Sequence, residues 1–578
     1  MSVRDEAASW EGSTVLGVAV AGLTVLAVAT LTAGAHLWAA LTGVDLPWNP
    51  IALAVALAAG RPAPTAGLWA CTAGVVAAAA AVAALVRLAL RGRRPGTRTR
   101  ADSAAALTGA PSDTEGLSER SVRAKAARLG AAPGAAFGLP IGRAVRTGRR
   151  LWSDLEAVCI VIAGPRTGKT TCWAVPRIGA APGAVVATSN KRDILDSTRA
   201  DRSGRGDVWV FDPQGIADEP QSWWWDPMSC VTDAVAARAM TEVFVDSTRD
   251  PKAQTNAYFD SAGRDLVAAL LLAAARSGRP ITQLHGWLND QHDDEPVRLL
   301  RDAGEQMMAD TLQGTLNLVA ETRSGVYGSA ATIMSFMLNE RAMAWVTPSP
   351  WLRQFRPEEF VAGTGTLYCL SQEGRGSASP IVTALTVAVI EAALARARTQ
   401  PAGRLSTPML CELDEAANVC RWRELPDLYS HFGSRGILVD TLLQSWSQGA
   451  VAWGEAGVKK LWSASNVKTY AGGVAERAFL SDLSDLIGTH WVDSRQTSYS
   501  AQGRSSSTSR QSQQRPIASV ADLADLPRGR AWVLASGSTA ALTELIPHWA
   551  ARGAGGGGRG RTERSERSKR RGRMSGGE

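Results

Sequence analysis

The chain has 578 residues, of which 45% are hydrophobic and 20% charged, with a formal net charge of +8. That length and mix exclude a wholly disordered chain and leave room for more than one domain. Seven cysteines, at 71, 159, 172, 230, 369, 411 and 420, and six histidines fall at spacings that build neither a four-ligand zinc site nor a disulfide framework, so reduced, mostly buried thiols are expected.

In chain order, residues 14–41 and 65–90 come first, two runs nearly free of charge and rich in Ala, Val and Leu. Each exceeds the roughly 20 residues that cross a bilayer, so residues 1–94 read as a membrane anchor with two transmembrane helices. A cleavable signal peptide fits less well, because acidic residues open the chain and the apolar run is too long. Six arginines between 87 and 100 follow the second run, which by the positive-inside rule places the remainder in the cytoplasm, a multi-pass protein of the cell membrane. The shorter apolar piece at 51–59 reads as an interfacial segment. Residues 95–150, with Pro, Gly, Ser and many Arg, read as a linker.

A strand–helix alternation begins at residue 151. Apolar or β-branched runs at 157–163, 184–188, 207–211, 365–371, 408–413, 437–443 and 530–535 predict a parallel sheet buried on both faces, an α/β fold. The first run passes into Gly164-Pro165-Arg166-Thr167-Gly168-Lys169-Thr170-Thr171, a P-loop. Such a loop turns backbone N–H groups toward phosphate oxygens, Lys169 carries a positive charge to the terminal phosphates, and Thr170 offers a hydroxyl to Mg²⁺. Ala163 stands where the strict pattern has its first glycine.

Residues 230–345 lack strand-like runs and show helical periods, as at 256–276, so an inserted all-helical domain is expected between 151–229 and 346–551. Trp223, Trp224 and Trp225 are assigned to packing in the core or at a subunit interface rather than to base stacking. The run at 408–413 ends in Asp414-Glu415, paired acids suited to ATP hydrolysis: Asp414 for Mg²⁺ with Thr170, Glu415 for the attacking water. Gln444 closes the run at 437–443, where an amide can sense the γ-phosphate. Arg375, in the glycine-flanked loop after 365–371, is the candidate arginine acting on a neighbouring subunit's site. Residues 494–515 are too polar to pack and are expected to form a mobile loop. Beyond Arg552 a Gly/Arg-rich tail, 552–578, reads as disordered; nine basic residues against three acidic ones give it most of the chain's net charge.

With these pieces placed, the chain resembles the VirD4/TraG-like family of conjugative coupling proteins of type IV secretion. The likeness rests on the P-loop, on Ser189-Asn190-Lys191-Arg192-Asp193, Asp207-Val208-Trp209-Val210-Phe211-Asp212-Pro213, Trp225-Asp226-Pro227-Met228, Leu413-Asp414-Glu415-Ala416-Ala417-Asn418 and the closing strand Arg530-Ala531-Trp532-Val533-Leu534. Gln214 stands where related translocases often have Lys. The resemblance implies a RecA-like P-loop NTPase core using ATP and Mg²⁺, a homo-hexameric ring, and partners comprising DNA, in single-stranded form with a relaxase, and the channel proteins of a type IV secretion system. Two other readings stay open: an FtsK-like double-stranded DNA translocase, and a docking adaptor that does not hydrolyse ATP.

Overall fold

The apolar runs of the sequence become the centre of one eleven-stranded sheet. The computed structural model describes residues 28–60, 65–91, 100–131, 135–248, 256–374, 377–499 and 506–553. Fifteen strands are formed there: β1 Leu139–Ala144, β2 Arg150–Ser153, β3 Cys159–Ile162, β4 Val185–Ser189, β5 Val208–Phe211, β6 Trp223–Trp225, β7 Arg353–Phe355, β8 Thr366–Leu370, β9 Met409–Leu413, β10 Ile437–Leu443, β11 Val467–Tyr470, β12 Thr489–Tyr499, β13 Ser506–Pro516, β14 Arg530–Ala535 and β15 Ala541–Glu544.

The sheet order is β2-β1-β15-β14-β11-β3-β10-β9-β4-β8-β5. From β11 to β5 all neighbours are parallel, while β14, β15, β1 and β2 extend one side antiparallel. Strands β3, β4, β8, β9 and β10 are buried at every position, as expected where helices cover both faces of a parallel sheet. Because parallel strands need helical crossovers, the C-terminal ends of β3, β10, β9 and β4 emerge side by side at one edge.

Between β6 and β7 the described residues form helices without a strand, among them Ala234–Thr248, Ala257–Arg276, Gln306–Leu316 and Ala320–Ile333. Their apolar side chains share one core with the sheet, Leu270, Trp287 and Val326 alongside Ile160, Leu413 and Val439. Two tryptophans of β6, Trp223 and Trp225, are buried and Trp224 is half-buried; Trp223 meets Trp209, Phe211, Trp345 and Phe355.

Two expectations are corrected. Residues 95–150 are no mere linker, since they contain the helix Glu119–Arg128, β1 and most of the approach to β2, and Asp102 pairs with Arg530. Pro140 and Gly142 hide β1 from a propensity reading; the strand forms because it is paired on both sides, with a register shift between those two residues. Residues 494–499 and 506–515 are not irregular either, and 500–505 lie outside the described residues. The two described stretches belong to a hairpin of β12 and β13 paired over eleven positions from Thr489↔Pro516 to Tyr499↔Ser506. Its residues are mostly Ser, Thr, Gln and Arg, so no apolar alternation marked it in the sequence.

The chain divides into two compact units, Met1–Arg98 and Thr99–Glu578. Within the first, helices Val28–Thr42, Pro50–Ala58 and Ala66–Arg91 are described, and Ala35, Trp38, Leu53 and Leu68 form a small core. The piece expected at an interface is thus a short helix, capped by the Asn49 side chain on the N–H of Ile51. Residues 14–27 of the first expected span lie outside the described residues. Val28–Thr42 is the described part of the first expected span, and the helix Ala66–Arg91, 26 residues long, lies over the second. The helix Ser379–Thr399, also apolar and 21 residues long, is mostly buried in the second unit.

Candidate active site

The site grows from four adjacent strand ends. After β3 the chain is tied to its neighbours by backbone bonds, Ala163 N–H to Leu443 O (3.0 Å) and Gly164 N–H to Gly472 O (2.9 Å). Gly164 is required by this crossing, because a Cβ there would stand 2.1 Å from the Gly473 carbonyl oxygen. Ala163 is fully buried and is accommodated in this arrangement. Pro165 and Arg166 are exposed at the tip, Arg166 with φ of 60°, and the Thr167 hydroxyl donates to Gly164 O at 2.8 Å. Gly168, at φ 97°, takes the left-handed turn that a side chain would resist and opens the helix that follows.

That helix begins as a π turn over Lys169–Ala174 and becomes α-helical over Val175–Ala180. The wide turn has a sequence cause, since Pro176 has no N–H to return to the Cys172 carbonyl. The start of the helix presents Lys169, Thr170 and Thr171, with the Thr171 hydroxyl turned back toward Gly168 O at 3.5 Å.

Across from it, β9 ends in the acid pair. Asp414 and Glu415 are 3% and 4% exposed, and Glu415 adopts a left-handed backbone (φ 56°, ψ 43°) before the short helix Ala416–Val419. A non-glycine residue held there stores strain that the surrounding structure must impose, a habit of functional positions. Lys169 Nζ bonds Glu415 Oε1 and lies 3.9 Å from Asp414 Oδ1. Thr170 Oγ1 donates to Asp414 Oδ2 at 3.2 Å. Gln444, at the end of β10, donates through Nε2 to the same Glu415 Oε1 at 2.7 Å. Lys169, Thr170, Asp414, Glu415 and Gln444 therefore form one cluster, with Lys169 and Glu415 separated by 246 positions in sequence. Arg375 lies outside the described residues.

Several supporting residues carried no obvious signal. The Thr188 hydroxyl, at the end of β4, donates to Asp414 O at 3.1 Å. Gln448 accepts from the Gln444 N–H at 2.8 Å while its own N–H is capped by Ser445, so Gln444 is held from behind by the start of helix Trp446–Ala464. The Ser-x-x-Gln spacing from Ser445 to Gln448 is a cap signature that could have been read from sequence.

Electrostatically the cluster is short of positive charge. Burial pushes the Asp414 carboxyl up to about 6, with Glu415 and Asp193 adding to the rise and Lys169 and the Thr170 bond opposing it. Asp414 Oδ1 and Glu415 Oε2 are buried without a hydrogen-bond partner. Two open carboxylate oxygens beside a threonine hydroxyl form an oxygen-donor set that fits Mg²⁺, which uses one or two carboxylates and fills its sphere with phosphate and water. Among the described residues no group of three or more His, Cys, Asp or Glu could hold a metal by itself.

Residues 408–528 match the family model for the TraM recognition site of TraD and TraG. No curated protein matches the sequence. Among solved structures, the bacterial conjugative coupling protein TrwBdeltaN70, in its unbound monoclinic form, is 17% identical, with a TM-score of 0.53 over 74% of this chain and 92% of its own. The plasmid coupling protein TrwB in complex with ADP and Mg²⁺ is 16% identical, with a TM-score of 0.52 over 75% of this chain and 93% of its own. The resemblance to conjugative coupling proteins is thus supported twice, by sequence over β9 to the hairpin and beyond, and by fold over about three quarters of the chain.

Proposed function

We propose that this chain is a membrane-anchored ATPase that couples a DNA–relaxase substrate, or a protein, to a type IV secretion channel for conjugative transfer. The observation that carries the reading is the convergence of Lys169 and Gln444 on one oxygen of Glu415, beside the Thr170–Asp414 bond. A P-loop lysine, a paired-acid strand end and a strand-end amide meeting at one sheet edge is an arrangement for phosphoryl transfer to water. The solved structures of similar fold with ADPNP, and with ADP and Mg²⁺, favour the same nucleotide and metal here.

In this reading the N–H groups of Gly164 to Thr171 bind the phosphates, and Lys169 leaves Glu415 for the β- and γ-phosphate oxygens. Glu415, freed of Lys169, accepts the proton of the attacking water, and Gln444 holds its carboxylate in line. Thr170 and Asp414 hold Mg²⁺, which when bound neutralises charge on the phosphates. The left-handed backbone of Glu415 aims the base where a regular helix start would not. Arg375 is assigned to the neighbouring subunit's site in a homo-hexamer, as a stabiliser of developing charge. Residues 14–41 and 65–90 are assigned as transmembrane helices and 230–345 as the helical substrate-recognition part. The stretch 408–528 is the proposed docking region for a TraM-like partner.

The test is ATP turnover by the full chain in detergent, wild type against Glu415→Gln, with single- or double-stranded DNA at stated salt, since phosphate contacts are salt-sensitive. Stimulation by single strands that Glu415→Gln removes supports the coupling reading. Preference for duplex DNA moves the assignment to an FtsK-like pump, and absence of turnover in assembled rings leaves a docking adaptor.

A further inference from the structure

A second charged cluster lies in the middle of the sheet, beneath the P-loop helix. Arg177, directly after Pro176, has no exposed surface, and neither has Asp440 on β10. The guanidinium has its donors engaged on every nitrogen. Nε and Nη2 hold the two oxygens of Asp440, the latter at 2.9 Å, while Nη1 reaches Ser153 Oγ (2.9 Å) and Pro140 O (3.3 Å) and Nη2 also reaches Cys159 Sγ (3.4 Å). Asp440 is in register with Cys159 on β3 and with Glu412 on β9. By the two-residue repeat of a strand, Asp440 shares a sheet face with Gln444 four positions on, and Glu412 shares that face with Asp414.

Stability alone is a poor reason for such a pair, because a hydrophobic pair of similar volume commonly serves a core as well or better. Geometry supplies another reason. The π turn over Lys169–Ala174 and the missing N–H of Pro176 interrupt the ladder that would otherwise fix the direction of the helix. The first side chain after that interruption is the one bolted to β10.

We propose that Arg177 and Asp440 are positioning residues for the nucleotide reaction: their forked pair holds the P-loop helix on β10 at the height where Lys169 and Thr170 meet Asp414, Glu415 and Gln444. This rests on the reading of that edge as an ATPase site. A displacement of about 1 Å at such a site is enough to cost two orders of magnitude in rate.

The experiment uses the full chain in detergent and three measurements: kcat for ATP, affinity for a fluorescent ATP analogue with Mg²⁺, and thermal midpoint. Arg177→Lys keeps the charge and one bond to Asp440 but loses the fork. The double variant Arg177→Met with Asp440→Leu removes the pair and fills the space. Positioning predicts that both bind the analogue and turn over ATP about tenfold more weakly than wild type, with kcat counted per bound nucleotide, while the double variant melts close to wild type. Wild-type affinity and kcat in either variant overturn the proposal, as does recovery of both functions together with stability in the double variant. Should the double variant not fold, Arg177→Lys decides alone. A wild-type chain that binds the analogue without hydrolysing ATP refutes the hydrolase reading, and the affinity of Arg177→Lys still judges the clamp.

Discussion

Two clusters of buried charge stand on the same sheet face, and they are finished differently. In the middle of the sheet the Arg177 guanidinium spends its donors on Asp440, Ser153, Pro140 and Cys159, while the neighbouring Glu412, in register with Asp440, is buried with both carboxyl oxygens unbonded and is pushed well above the usual carboxylate range by burial and by Asp440. At the strand ends, Asp414 Oδ1 and Glu415 Oε2 are buried and unsatisfied, and Glu415 sits in a strained backbone. A cation with every donor engaged fixes geometry; open carboxylate oxygens at a strand end, beside the P-loop lysine and threonine, keep binding capacity for a ligand that is not part of the chain. The difference marks the edge of the sheet, rather than its middle, as the place of chemistry.

The sharpest way to break this contrast is to remove the base or the lysine of the open cluster. Glu415→Gln and Lys169→Ala should each lower ATP turnover by about 10²–10⁴, read as phosphate release. They should leave the chain folded, because an open cluster does not hold the sheet together. The Arg177 cluster should answer the other way. Asp440→Asn strands a buried guanidinium and should cost about 3–5 kcal/mol of stability, seen as a drop in thermal midpoint.

A third measurement uses pH. The Asp414 carboxyl is pushed up to about 6 from an ordinary 3.8, so it favours the folded state below pH 4, and that contribution is lost as pH rises through 6. Without Mg²⁺, wild type should lose thermal stability from about pH 4 to about pH 6.5, and Asp414→Asn should flatten that slope. A slope unchanged by the substitution would mean that Asp414 is not the buried acid that titrates. The smallest effect is expected at Gln444. Replacing it by Ala removes one bond to Glu415, and turnover should fall by about tenfold with the melting point nearly unchanged.

How far the sequence could be read follows from what kind of force builds each part. The P-loop, the acid pair after 408–413 and the strand-end Gln444 are local patterns, and the chain order of apolar runs located β3, β4, β5, β8, β9, β10 and β14 to within a residue or two. Strands β1, β2, β11 and β15 escaped because they are short or interrupted by Pro140 and Gly142, and only pairing with distant strands makes them strands. The hairpin of β12 and β13 escaped because its sequence is polar along nearly its whole length and lacks the apolar alternation of a strand. Asp440 was visible as a lone acid within an apolar run, a sign that some cation must meet it. That the cation is Arg177 followed from no spacing, since 263 positions separate them.

By itself the sequence determined the chemistry available: a loop whose glycines and lysine suit phosphate, two adjacent carboxylates after a buried strand, and strands apolar enough to be covered on both faces. Those are properties of consecutive residues and need no partner. Tertiary structure decided which of these groups meet. The order β3-β10-β9-β4 sets Lys169, Gln444, Asp414 and Thr188 side by side, and packing holds Glu415 in a backbone conformation that its own sequence disfavours. Strand order and imposed strain are products of the whole packed core, so no local stretch of the chain could have announced them.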